Sequence, residues 1–334
     1  MLNLIRYKNL IFIVLIQWLI YFSVLMPILQ KYAFLSAPLP SGIFWLLTLA
    51  TVLIAAGGYV INDYFDLKID RINRPESVII GEKISKKAAM SLYITLTSAG
   101  VLLGVVVAIL LKSSTLGFIF AITAGMLWFY SSSYKRQFLV GNLIVAFSSA
   151  LAVLVVLAAE RASFSSIYSD ELIRQMPPSL LETYRIMIKE LYFWVCGFAL
   201  FAFLLTLVRE VVKDLEDIVG DREMECRTLP IVWGEKNAKI VVTCLLSAIL
   251  TGLFFVVHKF NLPNDNISFR YFIFGILLPS TISIVFLWNK KFSYKISGDL
   301  IKFTMLTGIL YTLIFNYLIA KAYGFALFGM FQIL

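Results

Sequence analysis

Residues 44–71 read FWLLTLATVLIAAGGYVINDYFDLKIDR, and the change of character at position 62 decides the fold. The run Phe44–Ile61 carries no charge. As a helix it would reach about 27 Å, close to the ~30 Å of bilayer hydrocarbon. Asp63, Asp66 and Asp70 follow it, and then Arg71. Positions i, i+3 and i+7 share one helix face, so three carboxylates project together where the apolar run ends. Like charges so placed repel. The pattern predicts a cationic ligand at the mouth of a membrane span.

The pattern occurs twice. Residues 191–222 read LYFWVCGFALFAFLLTLVREVVKDLEDIVGDR, in which Asp214, Asp217 and Asp221 each lie 151 positions after a partner (214−63, 217−66, 221−70). Arg222 repeats Arg71, and Gly234-Glu235-Lys236 repeats Gly81-Glu82-Lys83. Thirteen of the 20 acidic residues fall within 63–82 and 210–235, so the acids are concentrated rather than spread over a solvated surface. Four spans separate the segments, and an even number returns the chain to the same side. The expectation is a parallel internal repeat with two Asp-rich cytoplasmic loops and a site between its halves. It forms one domain over 1–334, with pseudo-repeat halves of about 1–160 and 161–334. Pro75 and Pro230 are expected to break the chain after each acidic helix end.

Composition agrees. The chain is 60% hydrophobic and 15% charged, with mean hydropathy +0.88, which excludes an ordinary soluble domain. Runs able to span the bilayer are Leu10–Leu29, Phe44–Ile61, Ala88–Leu111, Leu116–Ser132, Asn142–Ala159, Leu191–Leu207, Ile240–Val257, Tyr271–Trp288 and Phe303–Ala320. Backbone groups in hydrocarbon must be satisfied within the segment, so an all-α membrane protein of about nine helices is expected. The alternating short strands of a barrel are absent from the sequence.

Charge sets the orientation. In the nine-helix arrangement, 20 of the 29 Lys and Arg residues share the side that holds both acidic segments; Arg6, Arg74, Lys290 and Lys291 are among them. The positive-inside rule makes that side cytoplasmic, with the N-terminus inside and the C-terminus outside a cell membrane. The net charge of +9 is then explained by topology and anionic membrane lipid, and calls for no nucleic acid. The first apolar run reads as a retained span, since no small-residue cleavage site follows it. The outer stretch from Glu160 to Glu190, with Pro177-Pro178, reads as an amphipathic or irregular connection. Cys196, Cys226 and Cys244 lack metal-ligand spacing, and the lone His258 reads as an interfacial polar residue.

Oxygen ligands without His or Cys point to a hard cation, Mg²⁺ or Ca²⁺. Mg²⁺ takes one or two carboxylates and completes its shell with water and substrate phosphates. Two facing Asp clusters therefore suit a Mg²⁺–diphosphate, with Arg71, Lys135, Arg136 and Arg222 available to phosphate oxygens. A diphosphate bound at the mouth of an apolar bundle implies an apolar tail, as in an isoprenyl diphosphate. A transporter would place its ionisable groups in mid-span. A CDP-alcohol phosphotransferase would show an Asp-Gly-x-x-Ala-Arg run, which is missing here.

These residues resemble the signatures of the UbiA-type intramembrane prenyltransferases. Asn62 through Arg71 with Asn73-Arg74-Pro75 is similar to the first signature, and Tyr130 to Asn142 with Lys135 to the middle segment. Arg209 through Arg222, continued by Arg227-Thr228-Leu229-Pro230, is similar to the second. The resemblance implies nine helices around a central cavity and Mg²⁺-dependent prenyl transfer. It implies catalytic roles for Asp63, Asp66, Asp214 and Asp217. With Asp70 and Asp221, these would hold the metal, while Asn62, Arg71, Lys135, Arg136 and Arg222 would face the diphosphate. Asn9 and Asn142 would line the cavity. The second signature is most similar to the branch that alkylates geranylgeranylglyceryl phosphate, so a lipid acceptor is expected. An aromatic quinone or haem precursor is the alternative.

Overall fold

The computed structural model describes residues 2–32, 39–73, 76, 78–259, 266–289, 293–324 and 327. Among these lie helices α1 (Tyr7–Lys31), α2 (Ser41–Asn73), α3 (Lys86–Leu110), α4 (Ser114–Ser132), α5 (Val140–Ile167) and the short α6 (Asp170–Arg174). They are followed by α7 (Pro178–Glu216), the short α8 (Ile218–Glu223) and α9 (Leu229–Trp233), then α10 (Glu235–Lys259), α11 (Ile267–Trp288) and α12 (Tyr294–Tyr323). Nine helices among the described residues are long and apolar enough to cross a membrane, in the order the hydropathy predicts. Arg74, Pro75, Lys290 and Lys291 lie outside the described residues.

Small residues let α2 and α3 approach closely. A Cβ on Gly100 would stand 3.0 Å from the Ala50 carbonyl oxygen and 3.0 Å from the Ile54 nitrogen. Close backbone approach of this kind replaces the hydrophobic drive that helices lack in lipid. The main interior cluster gathers α1, α2, α5 and α7 around Phe44, whose ring stacks on Tyr21 at 4.6 Å. Leu102, Ile109, Phe118, Phe274 and Val285 point outward, as lipid-facing positions should.

Two spans widen into π-helix, at Ile20–Leu25 and Phe272–Leu277, each just before a proline. The Met26 N–H reaches back five residues to the Tyr21 carbonyl. In that register Pro27 would have to serve Phe22, and proline has no N–H. Asn316 of α12 supplies the missing donor, from Nδ2 to the Phe22 carbonyl at 3.0 Å. On the other bulge Thr307, also of α12, donates from Oγ1 to the Gly275 carbonyl at 2.5 Å. Proline interruptions are tolerated in membrane helices when a neighbour re-satisfies the freed group, and α12 does so at the first bulge.

Three expectations need correction. The acidic segments are not loops: Asp63, Asp66 and Asp70 lie on the last turns of α2, and Asp214 lies on α7. The second set does not share a single helix, because the chain is interrupted at Asp217 and Asp221 falls on α8. The stretch from Glu160 to Glu190, expected to be an amphipathic or irregular connection, is mostly helical and largely continues the two spans. There α5 continues to Ile167 and α7 begins at Pro178, a position where proline's missing N–H costs nothing. Phe164 stacks on Tyr168 at 4.6 Å and on Tyr184 at 5.3 Å, while Arg161 donates to the Tyr184 hydroxyl at 3.0 Å. Glu160 is buried, and its Oε2 accepts the Leu39 N–H at 3.0 Å.

Candidate active site

Four of the six acids can be placed by what holds them. Asp63 receives Arg6 Nη2 at 2.8 Å, and the Arg6 guanidinium lies 5.2 Å from the centre of the Tyr59 ring. Asp66 is paired with Lys135, which sits on a 3₁₀ turn, Tyr134–Arg136, between α4 and α5. Asp214 accepts Asn142 Nδ2 at 2.8 Å across the α5–α7 contact. Asp221, buried, accepts the Thr228 hydroxyl at 3.2 Å. The Asp70 carboxylate lies in the field of Asp66, Asp63 and Lys213.

The two acidic segments converge. Asp221 feels the charge of Asp217, Lys213 and Asp66. Tyr130, near the end of α4, lies within electrostatic range of Glu210, Asp66, Asp214 and Arg6. The Arg227 N–H donates to the Arg136 carbonyl at 2.8 Å and joins the Lys135 turn to the chain after α8. Burial first, and then the charge of Asp217, push the Asp221 carboxyl up to about 6, against the bond from Thr228. Burial also lowers Lys135, a shift that its pairing with Asp66 opposes.

The cations divide. Lys135 reaches the acids, whereas Arg71, Arg136 and Arg222 are exposed on the surface of this end. Asn62 is buried beside Asp63, and its Oδ1 has no hydrogen-bond partner. Asn9 lies within hydrogen-bonding range of Tyr59. Sequence reasoning missed Arg6 as a partner of Asp63; it stands before the first span, 57 positions away, with no local pattern to single it out. Asn73 was visible in the first signature without a role, and it contacts Asp217 and Gly220.

Among the described residues no three acids are already gathered as a metal cage. The donors still fit a hard cation that arrives with its own phosphate ligands. They are all oxygen atoms, five of the six carboxylates are half-buried rather than sealed, and Asn62 Oδ1 lies buried and unpartnered beside them. Several of the carboxylates are held by cations or amides from neighbouring segments, which limits their mutual repulsion without metal.

The sequence profile of the UbiA prenyltransferase family matches residues 24–291. The chain belongs to the UbiA prenyltransferase family. It is therefore a multi-pass membrane protein. Digeranylgeranylglyceryl phosphate synthase of Ignicoccus hospitalis is 36% identical over 197 residues, covering 59% of this chain and 56% of that protein. The enzyme of the same name from Methanosphaera stadtmanae is 31% identical over 229 residues, covering 66% of this chain and 72% of the relative. The chain thus matches a little over half of the first UbiA relative's length. A UbiA homolog from Aeropyrum pernix shares the fold with a TM-score of 0.57 at 16% identity, covering 89% of this chain and 97% of its own. A UbiA homolog from Archaeoglobus fulgidus bound to DMAPP and Mg²⁺ gives a TM-score of 0.54 at 13% identity, covering 96% and 98%.

Proposed function

We propose that this chain transfers a prenyl group from an isoprenyl diphosphate to a membrane-resident acceptor at the acidic end of the bundle. The observation that carries the reading is the convergence of α2 and the α7–α8 joint, with Lys135 already paired to one of the acids. In this reading Asp63, Asp66, Asp70, Asp214, Asp217 and Asp221 hold Mg²⁺. Asn62, Lys135, Arg71, Arg136 and Arg222 bind phosphate oxygens. When bound, Mg²⁺ would neutralise the diphosphate and improve it as a leaving group.

The chain's own groups do the rest. Lys135 exchanges its carboxylate for a phosphate oxygen when the substrate arrives, and Arg6 can make the same exchange from Asp63. Both cations are thereby placed for negative charge building on the leaving group. The half-buried carboxylates leave a negative field that favours the allylic cation, and the apolar helices above them keep water from capturing it. The cationic end faces the cytoplasm, with the N-terminus inside, because most Lys and Arg residues lie there.

The acceptor in this reading is geranylgeranylglyceryl phosphate. The names of the Ignicoccus and Methanosphaera relatives support it, and so does the cationic rim, which suits a glycerol-phosphate head. The deciding assay supplies labelled geranylgeranyl diphosphate and Mg²⁺. It offers geranylgeranylglyceryl phosphate in one arm and dihydroxynaphthoate or hydroxybenzoate in the other. Lipid product alone is expected. Aromatic product alone would overturn the acceptor, and no product in either arm would overturn prenyl transfer to these acceptors.

A further inference from the structure

We propose that Asn73 is a positioning residue that fixes the α7–α8 joint and so sets where Asp221 stands relative to the carboxylates of α2. Its Oδ1 accepts the Gly220 N–H at 3.0 Å, and its Nδ2 lies 3.5 Å from the Asp217 carbonyl oxygen. The two backbone groups flank the interruption that moves Asp221 onto α8. Asn73 is the last residue of α2, three positions beyond Asp70, so the clamp ties one acidic segment directly to the other.

The residue types at both ends are constrained. One group must accept from an N–H while the other donates to a C=O, and only a primary amide offers both at this size. Aspartate would keep the acceptor but face the Asp217 carbonyl with a second oxygen, and alanine would supply neither. Gly220 is required for space rather than for its backbone angle. A Cβ there would stand 2.4 Å from Asn73 Oδ1 and 2.5 Å from Nδ2, inside any tolerable contact. Just beyond the clamp, the Asp221 N–H returns to the Asp217 carbonyl at 3.1 Å and the Cys226 N–H binds the Asp221 carbonyl at 2.9 Å. A shift of Gly220 therefore carries Asp221 with it. Asp221 also lies within electrostatic range of Asp66 on the other segment, so its placement bears on the whole cluster.

The proposal rests on the prenyl-transfer reading for its consequence, though not for its geometry, and one experiment separates the two. The full chain, with Cys196, Cys226 and Cys244 replaced by alanine, receives I72C and V219C at exposed positions beside the clamp. A short bis-maleimide reports how steadily α8 stays against α2. N73A, N73D and G220A should each lower the cross-linking yield severalfold. They should also raise the Mg²⁺ concentration needed to bind a non-cleavable geranylgeranyl thiodiphosphate, by ~10- to 100-fold for a displacement on the order of 1 Å. Cross-linked N73A should recover the Mg²⁺ requirement of the parent protein, which a merely structural role would not produce. Unchanged cross-linking in all three variants overturns the clamp. Reduced cross-linking with an unchanged Mg²⁺ requirement overturns its role in positioning. If the parent fails to bind the thiodiphosphate, the prenyl-transfer reading fails, and the cross-linking arm still decides the clamp.

Discussion

Lys135 and Asp66 form an ion pair across 69 positions of sequence, and both side chains are largely buried. A pair withdrawn from water gives up hydration that its mutual attraction only partly returns, so it is weak evidence of stabilisation. Its value lies in readiness. The 3₁₀ turn holds Lys135 at the acids, where an anionic substrate can take it over.

Removing either member should therefore abolish turnover with modest effect on folding. K135Q and D66N are expected to lose about 10²-fold or more in product formation, the scale of one strong electrostatic contact to a developing charge. Each variant should still purify from membranes as a monodisperse protein. Near-normal turnover by both would remove the pair from the chemistry.

Metal removal gives an independent check. EDTA should stop the reaction, and added Mg²⁺ should restore it. Without diphosphate the protein should bind Mg²⁺ weakly, because among the described residues no three acids are preassembled and Mg²⁺ borrows phosphate oxygens. Tight Mg²⁺ binding by the substrate-free protein, measured by calorimetry, would contradict this.

Orientation can be tested without substrate. Single cysteines at Glu82 and Ser179, both exposed, should label from opposite sides of the membrane in a background free of native cysteine. Glu82 should react from the cytoplasm and Ser179 from outside. Labelling of both from one side would mean that the number of crossings between them is even.

The acids were legible because they repeat at a constant offset and sit where long apolar runs end. Their partners were not. Arg6 and Thr228 reach the acids through tertiary contacts that leave no periodic trace, and Asn142 suggested itself only by resemblance. The interruption at Asp217 was hidden for a related reason. The spacing fits one uninterrupted helix, while the Gly220 N–H is taken by an amide 147 positions upstream. The stretch from Glu160 to Glu190 misled through its polarity and its double proline. What orders it is an aromatic stack joining residues 164, 168 and 184, together with Glu190, which receives Lys31 at 2.9 Å.

The last prediction concerns the bulged first span. Asn316 is buried, and its amide is the donor that Pro27 cannot provide to the Phe22 carbonyl. N316L should leave that carbonyl unpaired within the bundle and cost roughly 0.6–2 kcal/mol, the range of interhelical hydrogen bonds in membranes. The loss should appear as a lower thermal midpoint in detergent. The cause can be isolated by restoring the missing N–H. In a P27A background residue 27 can serve the Phe22 carbonyl itself, so the same N316L substitution should cost markedly less, and the double-mutant cycle should show coupling. Equal losses in the two backgrounds would mean that Asn316 stabilises the bundle by packing alone, and that the proline does not explain the contact.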